Sequence, residues 1–161
     1  MSLNPPQPSS DREIVQNNLS IALVVARYNL DRVEELLYHT VEGLKATGHE
    51  QPLIARVPGS TELAYATSII ARKQSIDVII ALGVVIAGAT EHHSVIAYSN
   101  ALALNQISLE TKIPIINGVI VTATDKEAEE RCGPKINRGK EFAQAALEMA
   151  EFKNKWTQKT Q

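Results

Sequence analysis

Four apolar runs rich in β-branched residues alternate along this chain with segments in which apolar residues recur at helical spacing. The runs cover residues 20–26, 52–57, 77–82 and 114–121. The first and third are almost continuously apolar, which is typical of strands covered on both faces. The spacing predicts helices over residues 31–47, 61–73, 94–110, 125–131 and 139–155.

Strands that alternate with helices pair in parallel through right-handed crossovers. We therefore predict an α/β fold: a three-layer sandwich with a four-stranded parallel sheet of order 2-1-3-4, flavodoxin-like, and helices on both faces. The predicted domain spans residues 19–161, after a Pro-rich extended or disordered arm over residues 1–18. Ligands bind such sheets where the strand order reverses, so the loops after the first and third strands should meet.

Composition narrows the classes of function. The chain has 161 residues and a net charge of −2, with both signs interspersed, which favours neither a nucleic-acid nor a membrane partner. A single cysteine, Cys132, excludes an internal disulfide, and no spacing of ligands predicts a metal site. No apolar run reaches membrane-spanning length and the start is polar, so a cytoplasmic protein is expected.

The loop predicted over Gly83–His93 carries features of a phosphate site. Gly88, Ala89 and Thr90 can present amides and a hydroxyl to one phosphate at the start of the next helix. The lysine of a nucleotide-triphosphate loop is missing, which excludes that class. The structural alternative is that Gly83 and Gly88 only allow a tight turn with positive φ.

Histidines and an aromatic ring accompany this loop. His92 or His93 can serve as a general acid–base, although at most one should face the site; the alternative is a solvated or capping histidine. Tyr28, after the first strand, stacks on a flat ligand or closes the core. Asn29 binds a ligand or caps the following helix.

Two further segments have both a functional and a structural interpretation. Ser60 or Thr61 caps a helix with Glu62 in its first turn, or the turn binds a polyol. A basic cluster forms an anion clamp, reaching a neighbouring subunit's site, or a solvated loop that balances nearby glutamates. The cluster consists of Arg131, Lys135 and Arg138.

In this order, the segments resemble lumazine synthase, an enzyme family of riboflavin biosynthesis. The similarity covers roughly residues 19–152 and is carried by residues 26–29, 57–63, 81–92, 114–121, 130–133 and 137–139. It implies condensation of 5-amino-6-ribitylamino-2,4-pyrimidinedione with 3,4-dihydroxy-2-butanone 4-phosphate to 6,7-dimethyl-8-ribityllumazine, without metal or organic cofactor. It also implies a homopentamer with active sites between adjacent subunits, which in some members builds a 60-subunit icosahedral shell.

The resemblance assigns roles position by position. It gives proton transfer to His92. Pyrimidine and ribityl contacts fall on Tyr28, Asn29, Ser60, Thr61, Glu62, Val85, Ile86 and Asn117. Phosphate contacts fall on Gly88, Ala89, Thr90, Arg131, Lys135 and Arg138.

Several positions depart from the family pattern. Thr61 and Asn117 stand where bulky aromatic residues are common, Ala87 replaces a frequent arginine, and His93-Ser94 replaces an aromatic–acidic pair. Each lost stacking contact weakens ring binding by about 0.5–1.5 kcal/mol. These departures keep open a weakly active or non-catalytic paralogue that serves as a pentameric scaffold or a flavin- or lumazine-binding protein. A mononucleotide binder is disfavoured, because no hydroxyl-rich loop follows the first strand.

Overall fold

The computed structural model describes residues 19–73 and 75–157, so the predicted arm and the last residues of the predicted domain lie outside it. The strands are β1 (Ile21–Ala26), β2 (Leu53–Val57), β3 (Val78–Ile86) and β4 (Ile115–Thr122). The helices are α1 (Leu30–Lys45), α2 (Leu63–Ala71), α3 (His92–Thr111), α4 (Asp125–Cys132) and α5 (Arg138–Thr157). A 3-10 turn over Ser60–Glu62 precedes α2. The strands pair in parallel in the predicted order, β2-β1-β3-β4.

The sheet is covered on both faces, which confirms the three-layer prediction. Side chains of β1 alternate between two cores: Leu23 and Val25 pack with α1, α4 and α5. Ala22 and Val24 pack with α2 and α3 on the other face. The period-two alternation of a strand thus divides one apolar run between both layers.

Strand β3 is longer than predicted. It continues to Ile86, which pairs with Thr122 of β4, so that Gly83–Ile86 are strand residues and not loop. The apolar residues after Gly83 find partners along β4, which extends the ladder past the glycine. Only residues 87–91 connect β3 to α3, and α3 begins at His92 instead of the predicted Ser94. The histidine pair therefore lies in the first helical turn.

An arginine joins α4 to α1 on the far face of the sheet. Arg32 donates two hydrogen bonds to the Asp125 carboxylate, at 2.9 and 2.7 Å, and lies 3.7 Å from Glu129. The hydrogen bond from Arg32 lowers the pKa of the Asp125 carboxyl. These contacts fix the helix that carries Arg131.

Cys132 ends α4 and is completely buried. Burial raises the pKa of its thiol to about 12. Among the helices in the described parts of the chain, none has the length and apolar character needed to cross a bilayer.

Candidate functional site

A cleft of about 480 Å³ opens at the carboxyl ends of β1 and β3. Four segments form its walls: the residues after β1, the 3-10 turn, the end of β3 and the start of α3. The lining residues are Tyr28, Asn29, Pro58, Gly59, Ser60, Thr61, Glu62, Val84, Val85, Ile86, Gly88, Thr90, His92, His93 and Ile96. The segments after the first and third strands therefore meet where the strand order reverses, as the topology requires.

Asn29 links these two segments. Its backbone is left-handed, with φ 56° and ψ 50°, a conformation that asparagine tolerates better than most residues. Its side-chain Nδ2 donates to the carbonyl oxygen of Val84 at 2.8 Å. Asn29 occupies the N-cap position of α1, as the capping alternative expected, but its side chain makes no capping bond. Asn29 fixes the loop after β1 against the end of β3.

Tyr28 is presented to the cleft and does not close the core. Its side chain is 74% exposed. The ring lies beside the 3-10 turn, with Cδ2 3.8 Å from the position that a Cβ on Gly59 would occupy. An exposed ring held between two loops offers a face on which a flat heterocycle can stack.

The 3-10 turn is closed by its own glutamate. The amide of Gly59 donates to Glu62 Oε2 at 2.8 Å, and the Glu62 amide donates to the Gly59 carbonyl at 3.2 Å. Gly59 therefore occupies the cap position, and the prediction of Ser60 or Thr61 as the cap is wrong. The carboxylate accepts from the cap amide as in a capping box, and because glycine has no side chain, the Glu62 amide bonds to the Gly59 carbonyl instead.

Ser60 is pressed onto β3 beneath the turn. A Cβ on Gly83 would lie 2.5 Å from Ser60 Oγ, so glycine is needed for this approach. The side chain of Asn100 on α3 donates to the Ser60 carbonyl from the other side. Neither Gly83 nor Gly88 has a positive φ, so the tight-turn alternative is wrong for both glycines. Gly83 serves close packing instead.

The connection from β3 to α3 exposes a row of unused amides. The N–H groups of Gly88–Glu91 donate to no group within residues 19–73 or 75–157. They lie at the positive end of the α3 dipole, where an anion is stabilised. Gly88 and Thr90 line the cleft, whereas Ala89 is exposed outside its lining.

Both histidines contribute to the lining of the cleft. As neighbours in the first turn of α3, they project about 100° apart around the helix axis. His92 is exposed. His93 is half-buried and its Nδ1 lies 3.0 Å from the carbonyl oxygen of Thr90. A carbonyl only accepts, so Nδ1 of His93 carries the proton.

The cationic candidates lie outside the cleft of their own chain. Arg131 donates to the Glu127 carbonyl at 3.0 Å, and Lys135 pairs with Glu130 at 2.7 Å. Arg138 is buried and paired with Glu141. All three belong to α4, α5 and their connection, which pack on the face of the sheet opposite α2 and α3. One protomer therefore does not form the predicted anion clamp.

Asn117 is also outside the cleft. It lies on β4, the edge strand opposite β2, where its side chain is exposed. Its Oδ1 accepts from the Val119 amide at 3.2 Å.

Sequence reasoning missed several residues that line the cleft. Val84 and Ile96, given no individual role from the sequence, supply apolar surface, whereas Pro58 and Gly59 belong to the turn for which polyol binding was an alternative. Ile96 lies one helical turn after His92. If the predicted helix had begun at His92, helical spacing would also have indicated Ile96.

Comparisons with known proteins agree with this architecture. Residues 18–154 match the model of the 6,7-dimethyl-8-ribityllumazine synthase family. A 6,7-dimethyl-8-ribityllumazine synthase of Thermococcus onnurineus (strain NA1) is 37% identical over 143 residues, which cover 89% of this chain and 94% of the relative. The enzyme of the same name from Pyrococcus furiosus is 41% identical over 134 residues, covering 83% and 85%. The chain therefore belongs to the 6,7-dimethyl-8-ribityllumazine synthase family.

Proposed function

We propose that this protein is an enzyme that condenses 5-amino-6-ribitylamino-2,4-pyrimidinedione with 3,4-dihydroxy-2-butanone 4-phosphate. The product is 6,7-dimethyl-8-ribityllumazine, and phosphate and water are released. One observation carries the proposal: a single cleft is lined by an exposed ring, by two residues with unused amides and by two histidines. Membership of the family supports it independently.

The two ends of the cleft suit the two substrates. Tyr28 offers a stacking face to the pyrimidinedione, and backbone groups of Val85 and Ile86 lie beside it at the end of β3. Ser60, Thr61 and Glu62 form the rim that faces the ribityl chain. Their exposed polar atoms and amides suit its hydroxyl groups.

The phosphate substrate fits the loop between β3 and α3. Gly88, Ala89 and Thr90 offer amides and one hydroxyl to a dianion at the start of a helix. Bound there, the four-carbon substrate lies next to the stacked amine. Holding two reactants in contact lowers the entropic part of the barrier between them.

His92 moves protons in this arrangement. The amine of the pyrimidinedione attacks the ketone and forms an imine with loss of one water. Elimination of the phosphate leaves an enol that tautomerises to a second carbonyl. The ribityl-bearing nitrogen attacks this carbonyl and closes the ring with loss of a second water. Both the elimination and the closure require a proton transfer at a carbon or nitrogen between the two subsites. The exposed imidazole of His92 lies on the cleft wall beside the loop between β3 and α3, whose amides are free to bind the phosphate.

Adjacent copies of the chain complete the site in this proposal. Arg131, Lys135 and Arg138 would supply phosphate contacts from a neighbour, and Asn117 would face the neighbour's pyrimidine, because none of them lines its own cleft. Helix α3 carries an outward apolar stripe suited to self-association. The stripe consists of Val95, Tyr98, Leu102 and Leu109, each at least 61% exposed. We propose a cytoplasmic homopentamer, with a 60-subunit shell as its higher assembly.

A turnover assay tests the reaction. Purified protein supplied with both substrates should form the lumazine chromophore, followed by absorbance and fluorescence, faster than the uncatalysed mixture. No product above that background at saturating substrate contradicts the proposal. Light scattering and electron microscopy on the same sample distinguish pentamer from shell.

One observation favours a second candidate, a flavin- or lumazine-binding scaffold. Tyr28 is the only Tyr, Phe or Trp among the described residues that line the cleft, and Thr61 leaves the opposite rim without a ring. Quenching of lumazine or riboflavin fluorescence without turnover would indicate this alternative.

A further inference from the structure

His93 makes a hydrogen bond that the aromatic residue expected at its position would be unable to make. Its protonated Nδ1 donates to the carbonyl oxygen of Thr90 at 3.0 Å. We propose that His93 is a positioning residue for the phosphate loop, defined as residues 87–91. By holding Thr90, it fixes the backbone that carries the free amides of Gly88–Glu91. The proposal rests on the proposed function, since it assumes that this loop binds the phosphate substrate.

The phosphate loop is anchored at its two ends. The Ala87 amide donates to the Thr122 carbonyl at 2.8 Å, and the Ser94 amide donates to the Glu91 carbonyl at 3.0 Å. Between these anchors, the bond from His93 is the one hydrogen bond that Gly88, Ala89 or Thr90 makes to the described residues.

Packing gives the middle of the loop little additional support. Gly88, Ala89 and Thr90 are all exposed. A Cβ placed on Gly88 would meet no atom within 4 Å. An exposed loop loses conformational freedom when it binds a ligand, and a bond made beforehand reduces that cost. The ring of His93 is therefore the contact that preorganises the amides.

The bond also assigns separate roles to the two ring nitrogens. Nδ1 is committed to Thr90, so in the neutral ring Nε2 is the unprotonated nitrogen. Positioning through Nδ1 and direct contact through Nε2 thus predict different mutational results. Asparagine places its amide nitrogen near the Nδ1 position, whereas glutamine reaches toward the Nε2 position.

The test compares His93→Asn with His93→Gln in the full-length chain. His93→Gln should raise KM for the phosphate substrate about three- to tenfold with kcat within about twofold, because the donor to Thr90 is lost. His93→Asn should stay within about twofold of wild type in both constants. Calorimetric titration with inorganic phosphate requires no turnover. It should give a higher Kd for His93→Gln than for His93→Asn and wild type.

Hydrogen exchange supplies a readout independent of catalysis. Amide exchange in a peptide spanning residues 87–91 should be faster in His93→Gln and unchanged in His93→Asn. Equal weakening in both variants, or wild-type phosphate affinity and exchange in His93→Gln, would overturn the positioning role. Absence of turnover in the wild type would instead contradict the proposed reaction, while phosphate titration and exchange still decide the role of His93.

Discussion

At the scale of residues, a few side chains that bond to backbone carbonyls determine the shape of the cleft. Asn29 joins the loop after β1 to the Val84 carbonyl, and His93 joins α3 to the Thr90 carbonyl. The bond from Asn29 joins two walls of the cleft, and the bond from His93 joins the first turn of α3 to an exposed loop. Substitutions here should therefore change ligand binding and local stability together.

Asn29 provides a matched pair of variants. Asn29→Gly keeps access to the left-handed backbone but loses the bond to Val84, which should cost about 1 kcal/mol of unfolding free energy. Asn29→Ala loses the bond and also strains the backbone at φ 56°, adding about 1–2 kcal/mol. Urea unfolding measures both. An alanine variant as stable as the glycine variant would contradict this interpretation of the site.

His92 should matter for turnover more than for binding. We expect His92→Ala to lower kcat about 10²-fold, near the lower end for a general acid–base, because the amine substrate is itself a nucleophile. KM for either substrate should change only a few-fold. Initial rates with each substrate varied in turn test this. A raised KM with an unchanged kcat would make His92 a binding group instead.

The position of a residue just after a strand predicts whether it lines the cleft. It is a poorer guide to the contacts that the residue makes there. Tyr28, Glu62, Thr90 and His92 were all expected, because the carboxyl ends of parallel strands converge. The bond from Asn29 to Val84 joins residues 55 apart in sequence, and no local pattern indicates it. The local interpretation of Asn29 gave its position at the N-cap of α1, whereas its side chain makes a tertiary contact instead of a capping bond.

At the scale of elements, the 3-10 turn packs closely against β3 at Gly83, which has no side chain. An almost continuous apolar run predicted the strand and its burial, but the prediction ended at Leu82 because glycine weakens a strand pattern. In the fold, Gly83 lies inside the ladder, where its missing side chain makes room for Ser60. The physical reason for the glycine lies in another element, so the sequence pattern alone misplaced the end of the strand.

Two glycine substitutions separate packing from loop conformation. Gly83→Ala places a Cβ 2.5 Å from Ser60 Oγ and should destabilise the fold by about 1–3 kcal/mol. It should also displace the 3-10 turn and weaken pyrimidinedione binding. Gly88→Ala meets open space at an unstrained φ, so its unfolding free energy should change by less than about 0.5 kcal/mol. Thermal and urea unfolding of the two variants provide the comparison, and equal stability would refute the packing role of Gly83.

At the scale of the whole molecule, the sheet separates the two halves of the proposed site. The cleft opens between β1, β3 and α3, whereas Arg131 is carried by α4 on the opposite face. The sequence resemblance assigns phosphate binding to Arg131. It does not say where Arg131 lies relative to the cleft of its own chain or of a neighbouring copy. A site shared between copies reconciles that role with the geometry of one chain.

Mixing two defective variants tests the shared site. In a mixed assembly of His92→Ala and Arg131→Ala chains, some clefts combine an intact His92 with an intact Arg131 from the neighbour. Co-refolding at equal ratio should therefore recover about a quarter of wild-type activity at low phosphate-substrate concentration. Each variant refolded alone serves as the control. Activity equal to the mean of the two parents would show that the residues act within one chain.

The burial of the chain's single cysteine has a practical consequence. Cys132 is shielded at the end of α4, and its pKa of about 12 leaves almost no thiolate at neutral pH. Maleimide dyes should therefore leave the native protein unlabelled. An Ala89→Cys chain would carry one reactive handle at the tip of an exposed loop, so a fluorophore there can report ligand arrival without first removing a background thiol.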